Sequence, residues 1–425
     1  MAKAWYKIDN AGIIYPLTFK KNDTSFFRLS AVLKKDVNPE ILLKATGAAL
    51  IRFPMFKVKM KSGFFWPYLE ENDAEIKITK ESPYLHSLHF RREQNGYLFS
   101  VMHYGKRVSA QFFHGLCDGH GGLEFFKTVL YYYFTLSGEK ISNNGEILTN
   151  EVERLFEDDK DNFFLNYNKK VSAQLADEKA FRLKGNFYKN GFQSIFEATC
   201  DEASLKAAAK KYDATVGLYL SALLVYHTYL LFYKDRFAKK QFPIRLFLPV
   251  DLRKYFDSKT LRNFSLFIRT THRFETALTF EDVIEELRGQ FTEELSKEKL
   301  EARIKQNIGF QTILPVRLLP LALKKFIVKI AFKFINSNAS TITLSNLGKI
   351  SLPKEFNDLV EKLEFTIPAC KVAPIVASSA CFNGKVTITL TSIYISRAFQ
   401  KQVFNQLRND GVSFYIESND VEAGL

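Results

Sequence analysis

Cysteine is scarce in this chain. Cys117, Cys200, Cys370 and Cys381 are the only four in 425 residues, and no two form a CxxC pair or a regular spacing. That pattern offers neither a zinc ribbon nor a disulfide framework, and it fits a reducing compartment. The N-terminal stretch MAKAWYKIDNAGIIYP places polar residues where a signal peptide needs an apolar core. No spanning helix is expected, for want of an uncharged apolar window of 18 residues. These absences together point to a cytoplasmic protein. Internal repeats and low-complexity tracts are also missing. Tryptophan occurs twice against 41 phenylalanines, which reads as composition bias and not as a binding surface.

The charge is abundant and uneven. The net value is +14, and residues 302–354 hold nine Lys or Arg and no acid, whereas 146–161 hold seven acids against two bases. A basic excess suits nucleic acid, anionic lipid or a phosphorylated small ligand. No RNP, zinc-finger or helix-turn-helix pattern accompanies it, so no nucleic-acid partner is expected. Within that tract, LPLALKKFIVKIAFKFI sets Lys325, Lys329 and Lys333 on one helical stripe with Lys324 beside it. Two readings stand: a core helix showing a thin lysine edge to water, which is favoured, and an interfacial helix that meets a membrane surface.

Periodicity predicts mixed elements throughout. SFFRLSAVL reads as a strand, and NPEILLKATGAALIRFP as a helix with Asn38 as N-cap and Pro39 at its first position. YLFSVMHYG and KRVSAQFF read as strands paired around Gly105-Lys106. A helix is expected over Leu123–Phe134, and the acidic, asparagine-rich stretch from Ser142 to about Asn190 reads as a linker. Beyond it come strand FQSIFEAT, helices near 202–211 and 216–233 (the latter capped by Thr215), strand IRLFLPV and a helix over 280–305. Strands TITLS, EFTIP, IVASSACF and KVTITLTSIYI follow, with a last helix near 398–409. The class is α/β, in two layered subdomains with mixed sheets.

One point breaks the apolar pattern in a way that bears chemistry. In SAQFFHGLCDGHGGLEFF a strand delivers His114 into a glycine-rich turn, with Asp118 four residues on. The turn reading has His114 close a strand, satisfied by backbone. The site reading has Gly115, Gly119, Gly121 and Gly122 bend the chain so that His114 presents one nitrogen to a cleft, as a general base near neutral pH must. A buried Asp118 would want a cation, and Arg253 in PVDLRKYF supplies one just after an apolar strand. A metal site on His114, Asp118 and His120 is not expected, because all three crowd one short turn and no HExxH or CxxC supports it. DGHGG lacks Walker and GxGxxG spacing. His86, His89, His103, His227 and His272 read as packed or surface residues.

His114-Gly-Leu-Cys-Asp118-Gly119 resembles the HxxxDG motif of the CoA-dependent acyltransferase superfamily. That superfamily includes chloramphenicol acetyltransferase, peptide-synthetase condensation domains, plant-type acyltransferases and bacterial alcohol acetyltransferases. The opening WYKIDNAGIIYPL with FRLSAVLKKDVNPEILLKATGAALIRFPMF is similar to the first strand and helix of the alcohol acetyltransferase branch. LPVDLRKYF with LRNFS resembles a second conserved block, and TITLSNLGKISLP a late strand motif beside the active site. These matches occur in order along nearly the whole chain.

The resemblance implies two chloramphenicol-acetyltransferase-like α/β subdomains, residues 1–185 and 186–425, with the active site in the channel between them. It implies His114 as catalytic base, Asp118 as structural aspartate, Arg253 as its partner and Gly119 as the glycine of the entrance. Ser345 and Asn346 fall near the acyl carbonyl, and Asn263 at a mainly structural position. It further implies acyl-CoA as co-substrate, no bound cofactor, and an alcohol or amine acceptor. Phe113 stands where condensation domains double the histidine, and the plant-type DFGWG signature is absent, so a stand-alone enzyme using free acyl-CoA and an alcohol is expected. The alternatives are a condensation-type or non-catalytic member of the fold, or a basic membrane-surface binding protein.

Overall fold

The computed structural model describes residues 3–18, 25–85, 93–168, 170, 178–189, 191–233, 242–274, 277–335 and 340–420. His86 and His89 lie outside the described residues. The expected α/β class is what the chain adopts, as two sheet-and-helix lobes with separate cores.

The first lobe is organised on a five-stranded sheet. Its order is Val360–Thr366, Phe26–Leu33, Arg107–Phe113, Phe99–Tyr104 and Ile78–Lys80. A smaller sheet joins Trp5–Lys7, Pro67–Glu71 and Val58–Ser62. Asn38 caps the Pro39–Arg52 helix as expected, its side chain accepting from the Glu40 and Ile41 N–H groups. That helix and Gly119–Leu136 cover one face of the sheet, where Phe53, Phe56, Phe99, Phe112 and Phe125 pack edge-on and stacked. These phenylalanines are core filling.

The second lobe is a seven-stranded mixed sheet ordered Ser265–His272, Ile244–Asp251, Ile342–Lys349, Ile375–Phe382, Lys385–Ser392, Ser194–Asp201 and Phe414–Ser418. Helices Glu202–Lys210, Val216–Thr228, Phe280–Glu294 and Ala398–Asn409 cover one of its faces. The helix expected over 280–305 is two. It breaks at Leu295, and Ser296 caps a second segment, Lys297–Thr312, by accepting from the Lys299 N–H.

One stretch does meet the length and composition of a membrane span. Val216–Tyr233 carries no Asp, Glu, Lys or Arg, yet 67% of it is buried inside the second lobe, so it is a core helix. His227 and His272 are buried in the same lobe.

The lobes are laced together. Strand Val360–Thr366 follows four second-lobe strands in sequence but pairs with Phe26–Leu33 of the first sheet. A buried charge network bridges there, with Arg107 of the first sheet paired to Glu364 and to Glu197, and Lys362 paired to Glu364 and Glu417. The expected linker is not a loose tether. Its described part straps both lobes: Asp158 is buried, accepts from Arg52 Nη1 at 2.8 Å, and its carbonyl accepts from the Leu261 N–H at 2.8 Å.

Segment 319–335 departs from the favoured reading. Helix Leu321–Ile335 turns Leu321 and Val328 inward, and it also turns Lys324 inward, at 1% exposure, while Leu323, Phe326 and Ile330 face out. The lysine expected on the wet edge is internal because its ammonium reaches two backbone carbonyls, Phe65 O at 2.8 Å and Arg317 O at 3.1 Å. The side chain of Lys333 lies outside the described residues.

Candidate active site

Strand Arg107–Phe113 is central in its sheet, pairing on both sides, and its last six side chains are buried. His114 follows it directly, its N–H donating to Ser25 O at 2.9 Å. The imidazole is half-buried. Tyr15 stacks on one face of it (centroids 4.9 Å apart, planes 12° from parallel), and Phe27 meets it edge-on at 5.1 Å. Nδ1 is buried and finds no hydrogen-bond partner among the described residues. Burial lowers the pKa of the ring below 6.5, against the opposing pull of the Asp118 charge and of the Asn263 side chain, so the imidazole is neutral at pH 7.

Asp118 does not orient that ring. It is the N-cap of Gly119–Leu136, with Oδ1 accepting from the Gly121 N–H at 3.1 Å. Its remaining capacity goes to the other lobe. Arg253 donates to it through Nη1 at 2.9 Å and Nη2 at 3.4 Å, and the Phe264 N–H adds a bond of 2.8 Å. Arg253 also donates to Thr260 O, Arg262 O and Asp251. Burial alone would push the Asp118 carboxyl up, but Arg253, His120 and the Phe264 N–H outweigh it and hold the carboxyl below its ordinary value. The pair thus pins the turn after His114 to the loop after strand Ile244–Asp251.

The glycines work differently from expectation. None of Gly115, Gly119, Gly121 and Gly122 has a positive φ, so tight bending is not their use. They are sites of close approach. A Cβ on Gly121 would lie 2.0 Å from Leu261 O, and one on Gly122 would lie 2.8 Å from the Phe27 ring. A side chain at either would push the helix off the loop or the sheet. Gly119 is less crowded, with Leu347 Cδ2 at 3.1 Å.

Ser345 and Asn346 sit on strand Ile342–Lys349, which runs parallel to Ile375–Phe382 and is irregular after Asn346. Ser345 is buried opposite Ser378, while Asn346 is exposed and its Oδ1 accepts from the Gly348 N–H at 2.7 Å. The strand reaches the His114 turn through Leu347 against Gly119. Among the described hydrogen bonds, none links Ser345 or Asn346 to His114.

Behind the imidazole lies a layer of which sequence reasoning named only Asn263, at a structural position, and missed Asp9 and Asp161. Asn263 abuts His114 and donates through Nδ2 to Asp9 Oδ2 at 2.9 Å. Asp9 also accepts from the Gly12 N–H at 2.6 Å, which fixes the start of the short Ile14–Thr18 helix that carries Tyr15. Asp161, from the acidic strap, accepts from the Asn10 and Phe163 N–H groups at 2.7 and 3.1 Å. Burial pushes both carboxyls up, Asp9 to about 6, and repulsion from Asp9 helps bring Asp161 to about 7. The sequence signals were slight: a polar break, IDN, in an apolar stretch, and an aspartate among other acids.

No family model matches the chain, and no curated protein matches it. Solved structures do resemble it. The trichothecene 15-O-acetyltransferase TRI3 from Fusarium sporotrichioides superposes with a TM-score of 0.59 at 10% identity, over 96% of this chain and 95% of that one. F. sporotrichioides TRI101, solved with coenzyme A and T-2, gives 0.57 at 14% identity, over 97% and 99%. The starter condensation domain of rhizomide synthetase RzmA gives 0.55 at 10% identity, over 96% of each chain. At such identities the likeness establishes architecture: the chain has, end to end, the two-lobed fold on which these acetyltransferases and condensation domains are built.

Proposed function

We propose that the protein is a CoA-dependent acyltransferase that moves an acyl group from acyl-CoA to an alcohol, with His114 as general base. One observation carries the reading. A neutral, half-buried imidazole, clamped between Tyr15 and Phe27, sits where the Asp118–Arg253 pair ties the two lobes of a CoA-acyltransferase fold. TRI101 was solved with coenzyme A, and TRI3 is described as an O-acetyltransferase, which supports acyl-CoA as co-substrate and a hydroxyl as acceptor. Phe113, in place of a second histidine, favours free acyl-CoA over a carrier-bound donor. The four cysteines are all free, in keeping with a reducing, cytoplasmic setting.

The chemistry follows from a base that is already deprotonated. The acceptor hydroxyl gives its proton to Nε2 of His114 as its oxygen bonds to the thioester carbonyl carbon. The oxyanion so formed lies toward strand Ile342–Lys349, with Ser345 and Asn346 the polar candidates to stabilise it. The C–S bond then breaks, and the imidazolium returns the proton to the CoA sulfur. No covalent enzyme intermediate is required.

Mass spectrometry of products formed from acetyl-CoA and a panel of alcohols, amines and sugars identifies the acceptor class. His114→Ala lowers turnover on the order of 10²–10⁴-fold with little change in melting temperature. A loss below tenfold in a folded variant removes His114 from the base role, and amides as the sole products would favour the condensation-type alternative.

A further inference from the structure

The most basic tract of the chain builds a surface that acyl transfer leaves unused. On helix Leu321–Ile335, Leu323, Phe326 and Ile330 follow i, i+3, i+7 spacing and point to solvent, Phe326 at 62% exposure. The preceding short helix, Leu314–Leu318, adds exposed Leu314 and Leu318. The turn between strands Val58–Ser62 and Pro67–Glu71 adds Phe64, at 71% exposure. These three pieces are fastened into one. The buried Lys324 ammonium holds Phe65 O and Arg317 O and lies 3.6 Å from the centre of the Trp66 ring, and the Leu321 N–H donates to Phe64 O at 2.8 Å. A globular helix normally turns its apolar stripe inward, so a fixed apolar face turned outward marks a surface made to be covered.

The charges say what covers it. Arg317 and Lys329 are exposed and Lys325 is half-buried along the flank of this face, with no acid anywhere from 302 to 354. An apolar face with cationic flanks and aromatic residues at its margin matches a bilayer interface with acidic headgroups. A second copy of the chain would set the same basic tract against itself, because a two-fold interface joins identical patches. We propose that this surface docks the protein on an anionic lipid membrane. The docked helix packs against Ile14–Thr18, whose Tyr15 stacks on His114. A lipophilic substrate dissolved in the bilayer would therefore approach the imidazole past one short helix. That extension rests on the acyltransferase reading, whereas docking itself does not.

Flotation with phosphatidylcholine vesicles, with and without phosphatidylglycerol, at low salt and at about 0.15 M, tests docking without any turnover. The wild type is expected to float with the anionic vesicles and to lose part of that binding in salt. The triple variant Arg317→Gln, Lys325→Gln, Lys329→Gln is expected to lose about fivefold per cation, the fold-change equivalent of ~1 kcal/mol each. Phe64→Ser with Phe326→Ser is expected to abolish flotation at either salt. Both variants change exposed or flanking side chains, and a melting temperature near that of the wild type certifies their fold. Equal flotation on neutral and anionic vesicles overturns the proposal. So does a wild-type dimer in sedimentation velocity that ignores vesicles and dissociates in Phe326→Ser. If docking holds but no acyl transfer is found with any acceptor, the function proposed above fails while the membrane surface stands.

Discussion

Removing either partner of the Asp118–Arg253 pair tests how the lobes hold the histidine. Asp118 is 3% exposed and makes four bonds, two of them to Arg253. Arg253→Ala strands that carboxylate on two backbone N–H groups and also strips donors from Thr260 O and Arg262 O. Asp118→Ala leaves the guanidinium with Asp251 and the same two carbonyls. Breaking a buried pair from one side costs about 3–5 kcal/mol, with Arg253→Ala expected at the upper end. An unfolding entropy of about 2.1 cal/mol/K per residue, taken over 425 residues, is ~0.9 kcal/mol/K. Each single variant should therefore melt about 3–6 °C lower when the lobes unfold together. The double variant should lose clearly less than the sum, since no charge is left stranded.

The sign with pH is fixed by the depressed Asp118 pKa. Its stabilisation is present above the unfolded value near 3.8 and is lost as pH falls through the lower folded value. Asp118→Asn should remove that component from the acid denaturation curve. Differential scanning calorimetry of the four species at pH 7, with acid titrations of wild type and Asp118→Asn, reads all of this. Strictly additive losses, together with an unchanged acid limb, would refute the claim that the pair is a coupled, load-sharing contact between lobes.

Other expectations concern the imidazole and its supports. Because burial lowers the His114 pKa, the acid limb of kcat/KM should fall with a midpoint below 6.5, and a midpoint at or above 6.5 contradicts a desolvated ring. Asn263 opposes that shift, so Asn263→Ala should move the limb to still lower pH while reducing kcat, a change that a purely structural role would not produce. Gly121→Ala should destabilise by 1–3 kcal/mol or more, because the new methyl meets a backbone carbonyl, whereas Gly119→Ala meets only a side-chain methyl and should cost ~1 kcal/mol or less in chemical denaturation.

Much of the architecture was legible in the chain because it rests on local rules. The Asn38 cap with Pro39 behind it, the alternation in Arg107–Phe113 and the Thr215 cap each depend on neighbours a few residues away. The link between Asp118 and Arg253, 135 residues apart, was legible because a buried carboxylate wants a cation and because the motif resemblance names both. The tertiary structure alone decided the rest. The placement of Val360–Thr366 in the first sheet, and of Asp9, Asp161 and Asn263 behind the imidazole, follows from long-range packing that no local period encodes. The glycines after His114 show the same division. The sequence determined that small residues occur there, but only the approach of Leu261 and Phe27 gave the reason. Lys324 shows it most sharply. Helical spacing makes it equivalent to its neighbours, and it is internal because two carbonyls and an indole from distant segments converge on its ammonium, which leaves the apolar face of that helix to the solvent side.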